Sequence, residues 1–117
     1  MKKIYDIHKR IYKWVVEVIS FTKKLPKTPQ NFVIIPQLVS ASTSVGANDQ
    51  EADASDSKKD FIAKYVIARK ECKESIYWIQ LCKDTNFSQF TQEAEVLIKE
   101  GKEISFIVST IIKNAKA

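Results

Sequence analysis

A chain of 117 residues that is 44% apolar, with only two glycines and three prolines, can bury one core and is too poor in turn formers for a sandwich or barrel of short strands. One all-α domain over residues 1–117 is expected. No apolar run reaches the ~18 residues of a membrane span and "MKKIYDIHKR" has no secretory h-region, so a cytoplasmic protein is expected; its net charge of +5 suits anionic partners.

The first helix is read over residues 3–25. Ile4, Ile7, Ile11, Trp14, Val18, Phe21 and Leu25 recur at steps of three and four, with Val15 and Ile19 widening the stripe. Pro26 stops it, and Thr28 followed by Pro29 makes an N-cap and first-turn pair for the second helix. That helix should run to the low fifties and bury Val33 or Ile34, Leu38, Ala41, Ser42, Val45 and Ala52. Pro36 lies inside it, removing one donor and crowding the carbonyl of Phe32, so either a kink or a start near Ile35 is expected. The stretch "SASTSVGAND" is rich in small residues, which lets a neighbouring backbone approach. The second helix is therefore expected to be a slender, central rod.

Ser55 or Ser57 can cap a third helix whose buried face carries Phe61, Ile62, Tyr65, Ala68, Cys72, Ile76 and Ile79 and which ends near Asp84. Cys72 and Cys82 share that helix at a separation of roughly 15 Å, too far for a disulfide, and read as reduced packing residues. A fourth helix starts near Ser88, with Ala94, Leu97, Gly101, Ile104, Val108 and Ile111 in register and Ile98 and Ile112 alongside. Four amphipathic helices joined by short links predict an antiparallel up-down-up-down four-helix bundle.

Three large apolar residues fall off the buried faces. Ile67 and Trp78 share a line with Lys64, Glu71 and Glu74, and Phe106 shares one with Lys99, Lys102 and Lys113. Ile67, Trp78 and Phe106 are expected at an interface between subunits.

Little in the sequence points to catalysis. His8 is the single histidine, which excludes a multi-histidine metal site and reads as a partly exposed helix residue. "DQEADASDSKKD" alternates acids as a calcium loop does, but Ala54 stands where the turn wants Gly and Asp60 where a bidentate Glu belongs. No catalytic residue, cofactor or metal is expected.

Charge is uneven: residues 1–30 carry a net +6, residues 31–57 a net −4 and residues 58–85 a net +3. Lys9, Arg10 and Lys13 cluster on the first helix behind Lys2 and Lys3, and Lys64, Arg69, Lys70 and Lys73 on the third. Phosphate contacts need this kind of charge and little sequence specificity, so these seven residues are the expected nucleic-acid surface. The alternative is a protein-protein assembly module with no nucleic-acid role.

The segment from Ser40 to Leu81, with Ser42, Ser44, "VGAN", Glu51, Ala52, Ser57, "DFI", "IARKE", Glu74 and "YW", resembles the ribosomal RNA intervening-sequence proteins; residues 93–116 are similar to that family's last helix. The resemblance implies a four-helix bundle assembled into a homopentamer. It also implies a likeness to the accessory variability proteins of diversity-generating retroelements, with RNA or DNA and a reverse transcriptase as partners. Within the family motif, Asn48 and Glu51 are polar residues expected to bond across the bundle toward the third helix. Cys72, where Ala is common, and Pro36 depart from the family pattern.

Overall fold

Local signals start and stop each helix. In the computed structural model, which describes residues 3–117 and side chains from residue 7 onward, α1 spans Lys3–Lys24, α2 Pro29–Asp53, α3 Lys58–Thr85 and α4 Thr91–Lys116. Lys2, Lys3 and Ile4 therefore contribute no described side chains. The Thr28 hydroxyl accepts the Asn31 amide at 3.1 Å, and Ser57 accepts that of Asp60 at 3.0 Å, each satisfying a donor that the first turn leaves open. A 3-10 turn, Ser88–Phe90, leads directly into α4.

Thr28 and Pro29 settle the question raised by Pro36: α2 begins at Pro29, so a delayed start is excluded. Pro36 sits inside the helix on its exposed side, as does Phe32, whose carbonyl loses its partner where water can replace it. Ile34, not Val33, takes the buried position.

The backbones of the helices neighbour one another in a ring. α1 meets α2 and α4, and α3 meets α2 and α4. The expectation of a central α2 is thereby corrected: each helix is peripheral and faces two neighbours. The contacts run in opposite numerical order at three interfaces. Lys24 meets Glu93 while Arg10 meets Glu100; Asn31 meets Asn86 while Asp49 meets Tyr65; Lys83 meets Glu95 while Arg69 meets Ser109.

Trp14, Phe21, Leu38, Tyr65, Ile79 and Leu97 fill the core. Of the two glycines, the more tightly packed lies on α4 rather than in the small-residue stretch of α2. A Cβ added at Gly46 would meet Val15 at an ordinary 3.6 Å, whereas one at Gly101 would lie 3.0 Å from Ile76 and 3.2 Å from Trp14. Small residues of α2 such as Ala41 and Ser42 are nonetheless buried, and α2 and α3 share the most extensive interface. Trp14 and Leu97, 83 residues apart in sequence, are tied by a 3.0 Å bond from the indole N–H to the Leu97 carbonyl.

Both thiols are buried, and Cys72 donates to the Gly101 carbonyl at 3.2 Å. Burial pushes the Cys72 pKa up to about 12 and that of Cys82 up to about 11. Since the thiolate is the reactive form, native protein at pH 8 should resist a disulfide reagent for both residues and react fully in denaturant. The folded thiols hold protons that an unfolded chain releases near its ordinary value of 9.0. Their contribution to stability is complete below that value and declines as pH rises toward 11 and 12. Rapid labelling without unfolding, or a melting temperature unchanged from pH 8 to 11, would contradict this.

Candidate nucleic-acid interface

The structure sorts the seven predicted cations by whether a side chain of a neighbouring helix already engages them. Arg10 is one step around α1 from Lys9 and so turns toward α4. Its Nε and Nη2 donate to the two Glu100 oxygens at 2.9 and 2.7 Å, and Nη2 also reaches Glu103 at 3.0 Å. This fork-on-carboxylate geometry raises the guanidinium pKa further, through the Glu100 bond above all, and commits the residue to holding α1 on α4. Lys64 is likewise spent on Glu51 of α2 at 3.0 Å, a bond that raises its pKa, and Arg69 donates to Ser109 of α4 at 3.3 Å.

Lys9, Lys13, Lys70 and Lys73 remain exposed. Lys13 has only Glu17, one turn along and 3.7 Å away, and such surface pairs contribute little. The other three form no ion pair among the described residues. On α1, Lys9 and Lys13 share the solvent side with Tyr12, Val16 and Lys23. On α3, Lys70 and Lys73 lie on one line with Lys59, Val66 and Tyr77, spaced by threes, fours and sevens on the face opposite the core. Lys59 is not among the seven cations expected from the sequence, although its spacing of eleven from Lys70 puts it at nearly the same angle. The two stripes occupy helices diagonal to each other in the ring, so one chain presents them to different sides.

The polar motif residues divide differently from expectation. Glu51 does reach α3, through Lys64. Asn48 does not: its amide donates to the Ser44 carbonyl at 2.9 Å and to the Ser44 hydroxyl at 3.1 Å, within its own helix. The cross-bundle role belongs to Asp49, which is only 1% exposed. Tyr65 donates its hydroxyl to Asp49 at 2.7 Å, and His8 Nδ1 donates to the same carboxylate at 2.9 Å. Three helices are thus fastened near one end. Burial first, and the Asp49 bond second, hold the Tyr65 phenol well above its ordinary pKa. A lone acid continuing the buried line of Leu38, Ser42 and Val45 at a spacing of four was the signal available in the sequence.

His8 is half-buried, its Nε2 lying 3.6 Å from Asp53. It borders a cleft with Ile11, Tyr12, Thr43 and Gly46, where the Thr43 hydroxyl is already donated to the Val39 and Ser40 carbonyls. Among the described residues no group of three or more His, Cys, Asp or Glu could hold a metal ion. The opposite end is fastened by an Asn31–Asn86 pair, with Asn31 also donating to the Pro26 carbonyl and Asn86 to that of Cys82.

Of the three predicted interface residues, Phe106 is 72% exposed and Ile67 39%. Trp78 is half-buried, packs against the core and donates its indole N–H to Glu74 at 3.0 Å. Its amphipathic ring explains a place on the boundary between core and solvent.

The four-helix frame and the "VGAN" segment of α2 coincide with a match over residues 3–110 to the family model described as 23S rRNA-intervening sequence protein. The chain belongs to this family. Among solved structures, this family member is similar to a protein of unknown function from the S23 ribosomal protein family of Bacteroides thetaiotaomicron. The two share 29% identity and superpose with a TM-score of 0.81 over 92% of this chain and 98% of the other. No curated protein matches the chain. No helix among the described residues is long and apolar enough to cross a membrane.

Proposed function

We propose that this family member is a non-enzymatic, single-domain, cytoplasmic protein, an antiparallel up-down-up-down four-helix bundle that assembles into a homopentamer and serves as a nucleic-acid-binding scaffold. The observation that carries the reading is the pair of exposed lysine stripes, Lys9, Lys13 and Lys23 on α1 and Lys59, Lys70 and Lys73 on α3, none of which pairs with a carboxylate of another helix among the described residues. The opposed numbering of the interhelical contacts supports the antiparallel arrangement.

Assembly would resolve the geometry of the stripes. Diagonal stripes on one chain cannot grip one strand together, whereas rotation about a ring axis repeats the same stripe on the same side of every subunit. Exposed Ile67 and the edge of Trp78 offer contact surface for that ring. These same exposed groups favour the second reading, an assembly module whose partner is a protein such as a reverse transcriptase.

The test is binding of labelled RNA and DNA at low and moderate salt. Wild-type protein should bind both with an affinity that falls steeply as salt rises. The quadruple change of Lys9, Lys13, Lys70 and Lys73 to Glu should lower affinity at least about tenfold and flatten the salt slope by roughly 0.7 to 0.9 for each phosphate that is no longer neutralised. Arg10→Gln should instead lower the melting temperature with little effect on binding. No salt-sensitive binding by the wild type would leave the protein-binding reading.

A further inference from the structure

Between α3 and α4 an open groove of about 670 Å³ is bordered by Lys83, Glu95, Ile98, Lys99, Lys102 and Phe106. Its electrostatics are simpler than its composition. Glu95 faces Lys83 at 3.6 Å, and Glu103, also at the border, is held by Arg10. Lys99 and Lys102 form no ion pair among the described residues; with the single Arg10 charge shared between Glu100 and Glu103, the three lysines and two glutamates at the border leave the groove a net charge of +1. Phe106 lies on the same side of α4, one helical turn beyond Lys102 and two turns before Lys113, with nearly three quarters of its surface in water.

We infer that this groove is a track for single-stranded nucleic acid, in which Phe106 stacks on an unpaired base while Lys99 and Lys102 hold the flanking phosphates. This rests on the nucleic-acid reading above and adds a site and a substrate form to it. A bare lysine stripe reads charge alone and serves duplex and single strand alike. An aromatic ring projecting from between lysines has a use only when the base faces are free, as they are in a single strand. The positive track also continues beyond the groove. Lys113 lies on the same side of α4 as Phe106, roughly 21 Å from Lys99 along the axis, and Lys73 and Lys70 are exposed on α3 alongside. That span exceeds what a free nucleotide could use. Contact between two copies through Phe106 is the weaker fit, because an identical partner surface would bring lysines against lysines, and an unlike one must supply acids around an apolar socket.

Fluorescence anisotropy with a labelled dT oligonucleotide of ~16 nucleotides and a mixed-sequence duplex of equal length separates the outcomes. The wild type should bind the single strand more tightly than the duplex. Phe106→Ala should weaken the single strand about fivefold or more while leaving the duplex within twofold, and Phe106→Trp should restore it. The Lys99→Glu and Lys102→Glu pair should weaken both. Melting curves and light scattering on the same variants guard against lost fold or altered assembly. If single-strand affinity survives Phe106→Ala, the track is wrong and the lysine stripes alone account for binding. A Phe106→Ala protein that falls apart into smaller species, with unchanged binding per chain, also overturns the track and makes Phe106 a contact between copies. Absence of binding to either probe overturns the track together with the reading beneath it.

Discussion

Trp14→Ala should destabilise the fold by about 3–5 kcal/mol, measured by urea unfolding at neutral pH. Trp14 is among the largest fully buried side chains, and its removal strips apolar packing from α4 and leaves a void that the surrounding helices can only partly fill. It also strands the Leu97 carbonyl, which accepts the indole N–H from across the bundle. For a chain of this length, whose total stability is of order 5–15 kcal/mol, such a loss takes away much of the folded population at physiological temperature.

Gly101 explains why the cost is concentrated there. A methyl on Gly101 would press on the Trp14 ring at 3.2 Å and on Ile76 at 3.0 Å, so glycine is needed for α4 to come this close. In an ordinary helix interior Gly→Ala stabilises by about 1 kcal/mol. Here the crowding opposes that gain, and Gly101→Ala should be neutral or destabilising in the wild type. In the Trp14→Ala background the ring is gone and the Ile76 contact alone remains, so the same substitution should become more favourable than it is in the wild type. A Trp14→Ala cost below about 1.5 kcal/mol, or a Gly101→Ala effect that is the same in both backgrounds, would mean that α4 does not rest on this ring.

The helices were readable because their signals are local. Thr28 with Pro29 and Ser57 with Asp60 mark starts within a few residues, and the stripes on α1 and α4 repeat often enough to be unmistakable. The position of α2 was not readable, because a run of small residues permits close approach without saying which neighbour approaches or on how many sides. The cations were visible as charge, but not their allocation. Whether Arg10 is available to a phosphate depends on Glu100 and Glu103, some ninety residues further on, and that pairing exists only once α1 and α4 are side by side. Lys64 and Lys70 look alike in the sequence, and six residues around α3 put one against Glu51 and the other in solvent. Asp49 was hidden among exposed acids because its neighbours Glu51 and Asp53 are on the surface. Only its register with Val45 and Ala52 separates it from them.

That register gives the second large effect. Tyr65→Phe should destabilise by about 1–3 kcal/mol, more than removal of a surface hydroxyl could explain. The two side chains have nearly the same shape, so packing survives and the loss is electrostatic. The Asp49 carboxylate, almost wholly out of water, retains His8 as its one side-chain partner among the described residues. Asp49→Leu leaves the reverse problem, a phenolic hydroxyl in the core with nothing to accept it, and should cost a similar amount. The double variant has neither orphan and replaces a buried polar bond with apolar contact, so it should recover much of the loss from either single change. Unfolding free energies of the four proteins form a closed cycle whose coupling should be at least about 1 kcal/mol. If the two changes simply add, or if Tyr65→Phe costs less than about 0.5 kcal/mol, Asp49 must be finding water or another donor, and the fastening of α1, α2 and α3 at this end rests on apolar packing alone.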